Sequence, residues 1–303
     1  MSPAPAPTDP NPNPAGDWTI VARRGRRGKH RPHHTIPQPQ TLTLTPSSPS
    51  PWAPIDPVVD HARVSKLRER MESSIRRLES SRFYRRFLSR LRGRQIQRAL
   101  ARVSPSSGSS IRMVVYGVGS IESYEPPRLQ LALALLLRRE LGPAAASLEV
   151  FDPVLSATEC AAAAALGCAV IAVDERGRRE VAEPTLFYMP HCEAALYDGL
   201  LEANWSPSAL NRMVVLGNSF AEYERYVDET AWSRGSAAVE AAARHVIMAR
   251  KYVEEVPMEE KGEGGDKEGR MEDDEDGIFR AFHDTSWHFF DLDEGTQMDA
   301  LIA

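Results

Sequence analysis

Apolar positions recur along this chain with two different periods, and the change of period divides it. Over residues 58–103 the side chains Val64, Leu67, Met71, Ile75 and Leu78, then Phe83, Phe87 and Leu91, return every three or four residues, which predicts amphipathic helix. From Ile111 the pattern changes. Ile111-Arg112-Met113-Val114-Val115-Tyr116 is a nearly unbroken apolar run rich in β-branched residues, as expected of a strand buried on both faces. It breaks at Gly117-Val118-Gly119-Ser120 and resumes as a Leu/Ala-rich helix from about Arg128, which Gly142-Pro143 stops.

The alternation then repeats. Residues 148–152, 168–173, 185–190 and 212–217 read as further strands, with helices over 158–165 and 193–203 among them. Strands and helices alternating at this spacing predict parallel βαβ units with right-handed crossovers. The expected fold class is therefore α/β: a Rossmann-like, open, mostly parallel sheet with flanking helices. Another helix is predicted over 236–253. Ile278-Phe279-Arg280-Ala281-Phe282 and Ser286-Trp287-His288-Phe289-Phe290 are aromatic enough to return to the core, the second as an edge strand. The resulting organisation is a disordered Pro/Ser-rich basic tail (1–57), a basic helical extension (58–103), the α/β core (111–253), an acidic flexible loop (254–276) and a returning C-terminal segment (277–303).

Charge sharpens this division. Residues 1–110 hold 20 Lys+Arg against 7 Asp+Glu, whereas the remainder holds 17 against 35, so a net charge of −5 joins a basic front to an acidic body. Such a body does not attract nucleic acid by itself, and nucleic-acid binding is not expected. The run Arg23-Arg24-Gly25-Arg26-Arg27-Gly28-Lys29-His30-Arg31 reads as a solvated charge cluster or as an address for nuclear-import machinery. An RNA-contacting arm is the weaker reading, because no aromatic residues are interleaved after Trp18. The arginine-dense face of 58–103 suits a membrane surface or, preferably, a helix packed on the domain with its guanidinium groups reaching water. Three cysteines without a CxxC pair indicate neither a disulfide framework nor a zinc site, and imply a reducing compartment. No metal site is expected. The N-terminus has no apolar signal segment, and the most apolar run, 129–137, is too short to span a bilayer.

In open α/β sheets, ligands bind at the carboxyl ends of the strands. The polar residues predicted there are Gly117, Gly119 and Ser120 after the first strand, Asp152 after the second, Asp174 after the third, His191 after the fourth, and Asn218 and Ser219 after the fifth, with Glu159 near the start of its helix. The dinucleotide fingerprint is incomplete: Glu122 stands where a third glycine or alanine belongs, and Asp152 lies 33 residues beyond Gly119 rather than about 20. A structural glycine turn is favoured, with a methyltransferase-like use of Asp152 as ribose holder the alternative. For His191-Cys192, a packed thiol and a histidine capping the next helix are favoured over a nucleophile–base pair. Asp152 and Glu159 make an acid/base pair only if the loop between them folds back. No catalytic residue is assigned.

Several blocks occur in a telling order: Val115-Tyr116-Gly117-Val118-Gly119-Ser120-Ile121, Phe151-Asp152-Pro153-Val154 with Glu159, Leu166-Gly167, Phe187-Tyr188-Met189-Pro190-His191-Cys192, Leu216-Gly217-Asn218-Ser219-Phe220 and Phe282-His283-Asp284-Thr285-Ser286-Trp287-His288-Phe289-Phe290. Together they resemble the sensitivity-to-red-light-reduced (SRR1-like) family, and Trp18-Thr19-Ile20-Val21 with the arginine run resembles an N-terminal block of it. The resemblance implies a Rossmann-like domain in a regulatory protein of nucleus and cytoplasm. In plants it implies roles in circadian timing and phytochrome B signalling, with protein partners in those pathways; elsewhere, links to haem biosynthesis and the cytoskeleton. The cofactor stays unknown, a nucleotide-type ligand and a haem link both being open, and the alternative function is an S-adenosylmethionine-dependent methyltransferase-like enzyme.

Overall fold

The apolar run after residue 110 becomes the middle of a seven-stranded sheet in the computed structural model, which describes residues 49–104, 110–230, 242–258 and 273–298. The strands are β1 (Ser50–Pro51), β2 (Ile111–Tyr116), β3 (Ala145–Phe151), β4 (Ala169–Val170), β5 (Val173–Asp174), β6 (Thr185–Met189), β7 (Met213–Asn218), β8 (Val253–Pro257) and β9 (Thr285–Phe290). The helices are α1 (His61–Ser80), α2 (Arg82–Leu91), α3 (Arg94–Val103), α4 (Glu125–Leu141), α5 (Ala157–Ala165), α6 (Ala194–Ala203), α7 (Pro207–Leu210), α8 (Phe220–Thr230), α9 (Arg244–Ala249) and α10 (Asp273–Phe282).

The main sheet runs β4-β3-β2-β6-β7-β9-β8, and a two-stranded ribbon pairs β1 with β5. The first five strands are parallel; β9 is antiparallel to both neighbours. The chain steps outward from β2 to β3 and β4, then returns to the other side of β2 as β6. The direction of winding therefore reverses between β2 and β6, and the carboxyl ends at such a reversal are where open α/β sheets hold their ligands. Side chains alternate between two cores. Met113, Val115, Tyr188, Leu216 and Trp287 face α1–α5 and α10, while Val114, Phe187, Met189 and Val215 face α6–α9. The fold is thus mixed α/β, with a mostly parallel sheet covered on both sides.

Residues 58–103 fold as three helices, and they belong to this core. Asp60 caps α1 by accepting from Ala62 N at 2.9 Å and Arg63 N at 3.0 Å, and Leu67, Met71 and Leu78 are buried beneath it. On α2, Phe83 stacks on Phe282 of α10 with 4.4 Å between ring centroids, and Phe87 lies 6.1 Å from Trp287.

Other boundaries differ from expectation for physical reasons. Helix α4 starts at Glu125, not near Arg128, because Pro126 and Pro127 sit in the first turn, where no intrahelical N–H is needed. The strand expected over 168–173 splits into β4 and β5: Trp52 N bonds Ala172 O at 3.1 Å, and the second half pairs with β1. Asp174 consequently leaves the main sheet. The acidic loop expected from residue 254 begins as the edge strand β8, since Glu254 is neutralised by Arg102 at 3.1 Å, Glu255 by Arg250 at 2.8 Å, and Val256 is buried. That makes β9 an interior strand rather than an edge. Of the helix expected over 236–253, the described part is α9, and residue 253 already belongs to β8. The tail through residue 48 with its arginine run, residues 105–109, 231–241, 259–272 and 299–303 lie outside the described residues. Among the described residues no helix is long and apolar enough to cross a membrane.

One interior group makes stability depend on pH. His288 is fully buried on β9; its Nδ1 lies 3.1 Å from Val215 O, and its Nε2 accepts from Phe220 N at 3.4 Å. This pattern needs the neutral ring with the proton on Nδ1. Burial holds its pKa down at about 4, against the pull of Glu255 Oε1 3.9 Å away. An unfolded chain takes up this proton near the ordinary 6.5, so the stabilisation is complete above that pH and is lost as pH falls toward 4. We expect urea unfolding to report a loss of about 3 kcal/mol across that window, flattened in His288→Gln. Equal slopes in the two proteins would refute it.

Candidate functional site

The polar residues at the strand ends gather into two groups joined at Gly117. The first is built on the glycine turn. Gly117 and Gly119 have φ of +71° and +78°, open to glycine but strained for other residues. Asp152, at the end of β3, accepts from Gly119 N at 2.7 Å through one oxygen and from Val154 N at 3.0 Å through the other. Glu159 forms a capping box with Ser156 at the start of α5. Its second oxygen reaches back to the turn, accepting from Ser120 Oγ at 2.7 Å and Glu122 N at 3.0 Å. The loop between Asp152 and Glu159 does fold back, and both carboxylates are used to hold the glycine turn.

The amide groups that would receive a phosphate therefore already hold carboxylates from the same chain. Ser120 Oγ takes Ser123 N at 3.1 Å, and Glu122 is gripped by Arg63 of α1 at 2.6 and 2.9 Å. The Arg63 hydrogen bond holds the Glu122 carboxyl below its ordinary pKa. Burial pushes Asp152 upward while its two backbone N–H bonds pull it down. A pyrophosphate does not fit this arrangement without displacing Asp152 or Glu159.

The second group lies at the ends of β6 and β7. Asn218 accepts from His191 N at 2.8 Å and donates to Cys192 O at 3.2 Å and Tyr223 Oη at 2.8 Å. Ser219 Oγ accepts from Glu222 N at 3.2 Å and so caps α8, and its own N–H reaches Asp284 O at 2.9 Å. His191 does not cap α6, whose Glu193 cap makes no side-chain bond. It adopts φ +52°, turning its Nε2 to Ala281 O at 3.1 Å and its ring onto His283, with centroids 4.5 Å apart. Burial first, and His283 second, hold His191 below the ordinary histidine pKa. Cys192 is buried against Tyr116 O at 3.4 Å, and burial raises its pKa, so it is a poor nucleophile. A Cβ on Gly117 would fall onto Cys192 Sγ; this contact is where the two groups meet.

Residues 90–289 match the SRR1 domain family. The chain belongs to the SRR1 family. It is 40% identical over 276 residues to Protein SENSITIVITY TO RED LIGHT REDUCED 1 of Arabidopsis thaliana, covering 91% of each chain. It is 42% identical to an SRR1-like protein of Mus musculus over 120 residues, 39% of this chain and 48% of that one. An SRR1-like protein of Drosophila melanogaster is 34% identical over 70 residues, 23% of this chain and 25% of that one.

In this SRR1-family chain Asp174 joins neither group; its carboxylate receives Arg176 N at 2.9 Å in the ribbon. Sequence reasoning does not single out His283 and Asp284 as site residues. They sit in the turn between α10 and β9, with Asp284 at φ +56°, and a turn from helix back to strand has no strand-end signal. Arg63 acts from 59 residues away, and no local pattern announces it. One further cluster, Asp198, Glu202 and His245, brings three ligand-type atoms within 4.8 Å of one another. Asp198 caps α9 through the His245 N–H and lies 3.1 Å from His245 Nδ1, while Glu202 is paired with Arg178 at 2.6 Å, so each of the three groups already has a partner within the chain.

Proposed function

We propose that this chain is a regulatory protein of red-light and circadian signalling in nucleus and cytoplasm, working through a Rossmann-like binding module and contacts with other proteins. The observation that carries this reading is the 40% identity, over 91% of each chain, with a protein named for reduced sensitivity to red light. The internal use of Asp152 and Glu159 supports it, since their bonds to backbone N–H groups give both carboxylates a structural task in holding the glycine turn. The order of the five parallel strands around β2 supports the Rossmann-like part.

Expression of the full chain in an Arabidopsis line lacking its relative should restore the red-light response. A His191→Ala/His283→Ala variant with an unchanged melting temperature should not. Failure of the full chain to restore the response would sink the reading. A second reading, an S-adenosylmethionine-dependent or other nucleotide-cofactor enzyme, is favoured by one observation: Asp152 ends the strand next to β2, where a ribose-binding acid stands in dinucleotide folds. Such a cofactor at a hundredfold excess over its dissociation constant should stabilise the protein by about 2.7 kcal/mol. No shift with S-adenosylmethionine, NAD(P) or ATP would set that reading aside.

A further inference from the structure

The most uneven charge in the described structure lies on α2 and α3. Residues 81–110 contain eight arginines, no lysine and no Asp or Glu. The buried side of the two helices is Phe83, Tyr84, Phe87 and Leu91, then Ile96, Ala99, Leu100 and Val103. Arg82, Arg85, Arg86, Arg92, Arg94, Arg98 and Arg102 are exposed on the other side. Arg92 and Arg102 meet acidic residues of the body, at Glu140 and Glu254. Arg85, Arg86, Arg94 and Arg98 form no ion pair with a described residue.

A cleft of about 480 Å³ opens between α2, α3 and the carboxyl end of α4, and Arg94 and Arg98 each stand three residues before a side chain that lines it, Gln97 and Ala101, on the neighbouring turn of α3. Leu91, Leu100, Ile111 and Leu141 contribute its apolar wall, and Arg92 and Gln97 stand at its edge. Glu140 also lines it but is already engaged, by Arg92 at 2.9 Å and Tyr84 Oη at 3.3 Å. Ile111 and Ala144 place the cleft at the amino ends of β2 and β3, the end of the sheet opposite the glycine turn.

We propose that the α2–α3 face with its cleft is a docking site for a short acidic segment of a partner protein, whose arginine contacts flank one apolar side chain seated in the cleft. Arginine's planar fork pairs two-pronged with carboxylates, and a surface of arginine without lysine suits that partner. Each helix is ten residues, roughly 15 Å, so the face spans only a few residues of extended chain. A long polyanion such as nucleic acid would overrun it onto the rest of the chain, where acidic residues outnumber basic ones. It would also find no exposed ring on which to stack a base, because Phe83, Tyr84 and Phe87 are buried. A membrane surface is disfavoured likewise: neither helix exposes a large apolar side chain to enter lipid. This inference goes beyond the regulatory reading and does not depend on the strand-end site.

The test uses the full chain and a short fluorescein-labelled peptide of Asp and Glu around one central leucine, followed by fluorescence anisotropy at low and high salt. We expect saturable binding that weakens with salt. Arg94→Glu/Arg98→Glu should weaken it about tenfold, as reversing rim charges at an electrostatic interface does. Replacing the peptide leucine by serine, or filling the cleft with Ala101→Trp, should weaken it several-fold, and the two changes together no further. All substituted side chains are exposed, and unchanged melting temperatures confirm folding. Absent binding, binding indifferent to charge reversal or to the leucine, or tighter arginine-dependent binding of a DNA duplex or phosphatidylserine vesicles would each overturn the proposal.

Discussion

Gly217→Ala is expected to destabilise the protein by about 3–4 kcal/mol, through overpacking and lost hydrogen bonds together. Gly217 lies within β7, and its position leaves no room for a methyl group. A Cβ there would press into the Tyr197 hydroxyl and lie 2.8 Å from Tyr197 Cε1 and 2.9 Å from Met189 O. Tyr197 cannot retreat cheaply. It is fully buried, its hydroxyl donates to Met189 O, and it accepts from Asn218 N at 2.8 Å. The methyl group would therefore separate the hydroxyl from the two strands it ties together. Chemical denaturation of Gly217→Ala, Tyr197→Phe and the double variant tests this. If the hydroxyl is the obstacle, the double variant loses less than the two single losses combined. Simple additivity would show that the crowding arises elsewhere.

The second large effect concerns Glu159. Its two oxygens accept from Ser156 N at 2.9 Å, Glu122 N at 3.0 Å and two serine hydroxyls, and the residue is 2% exposed. Glu159→Ala leaves both backbone N–H groups without their acceptor and should cost about 4 kcal/mol. Glu159→Gln keeps one accepting oxygen, so either the capping box or the glycine turn survives, and about 2 kcal/mol should be lost. This graded series separates a structural carboxyl group from a catalytic one. A catalytic carboxylate out of contact with the backbone would be neutral or stabilising on removal, and equal stability of all three proteins would overturn the assignment.

The regular part of this architecture is legible in the sequence because its signal is local. A buried run such as Met113 through Tyr116 has one reading as a strand, and the glycine turn that follows marks its end. The candidate residues at strand ends emerge from the same rule, and all but Asp174 enter one of the two connected groups. Asp174 departs because pairing with β1, more than 120 residues earlier, draws it out of the sheet, and no periodicity encodes such a partner. The acidic run starting at Glu254 misleads for a related reason. Charge alone reads as solvated loop, but Arg102 and Arg250 arrive from other parts of the chain and allow a strand. The rim position of His191 follows from the strand pattern, but its direction depends on a left-handed backbone that composition does not reveal.

The position of β9 bears on how the protein is made. This strand, the last among the described residues, inserts between β7 and β8, covering an edge of β7 that was synthesised some seventy residues earlier. A nascent chain emerging from the ribosome must hold Val214, Val215 and Leu216 along an open, sticky border until residue 290 has been translated. The period for which this border stays unpaired is set by topology, independently of how stable the finished molecule is.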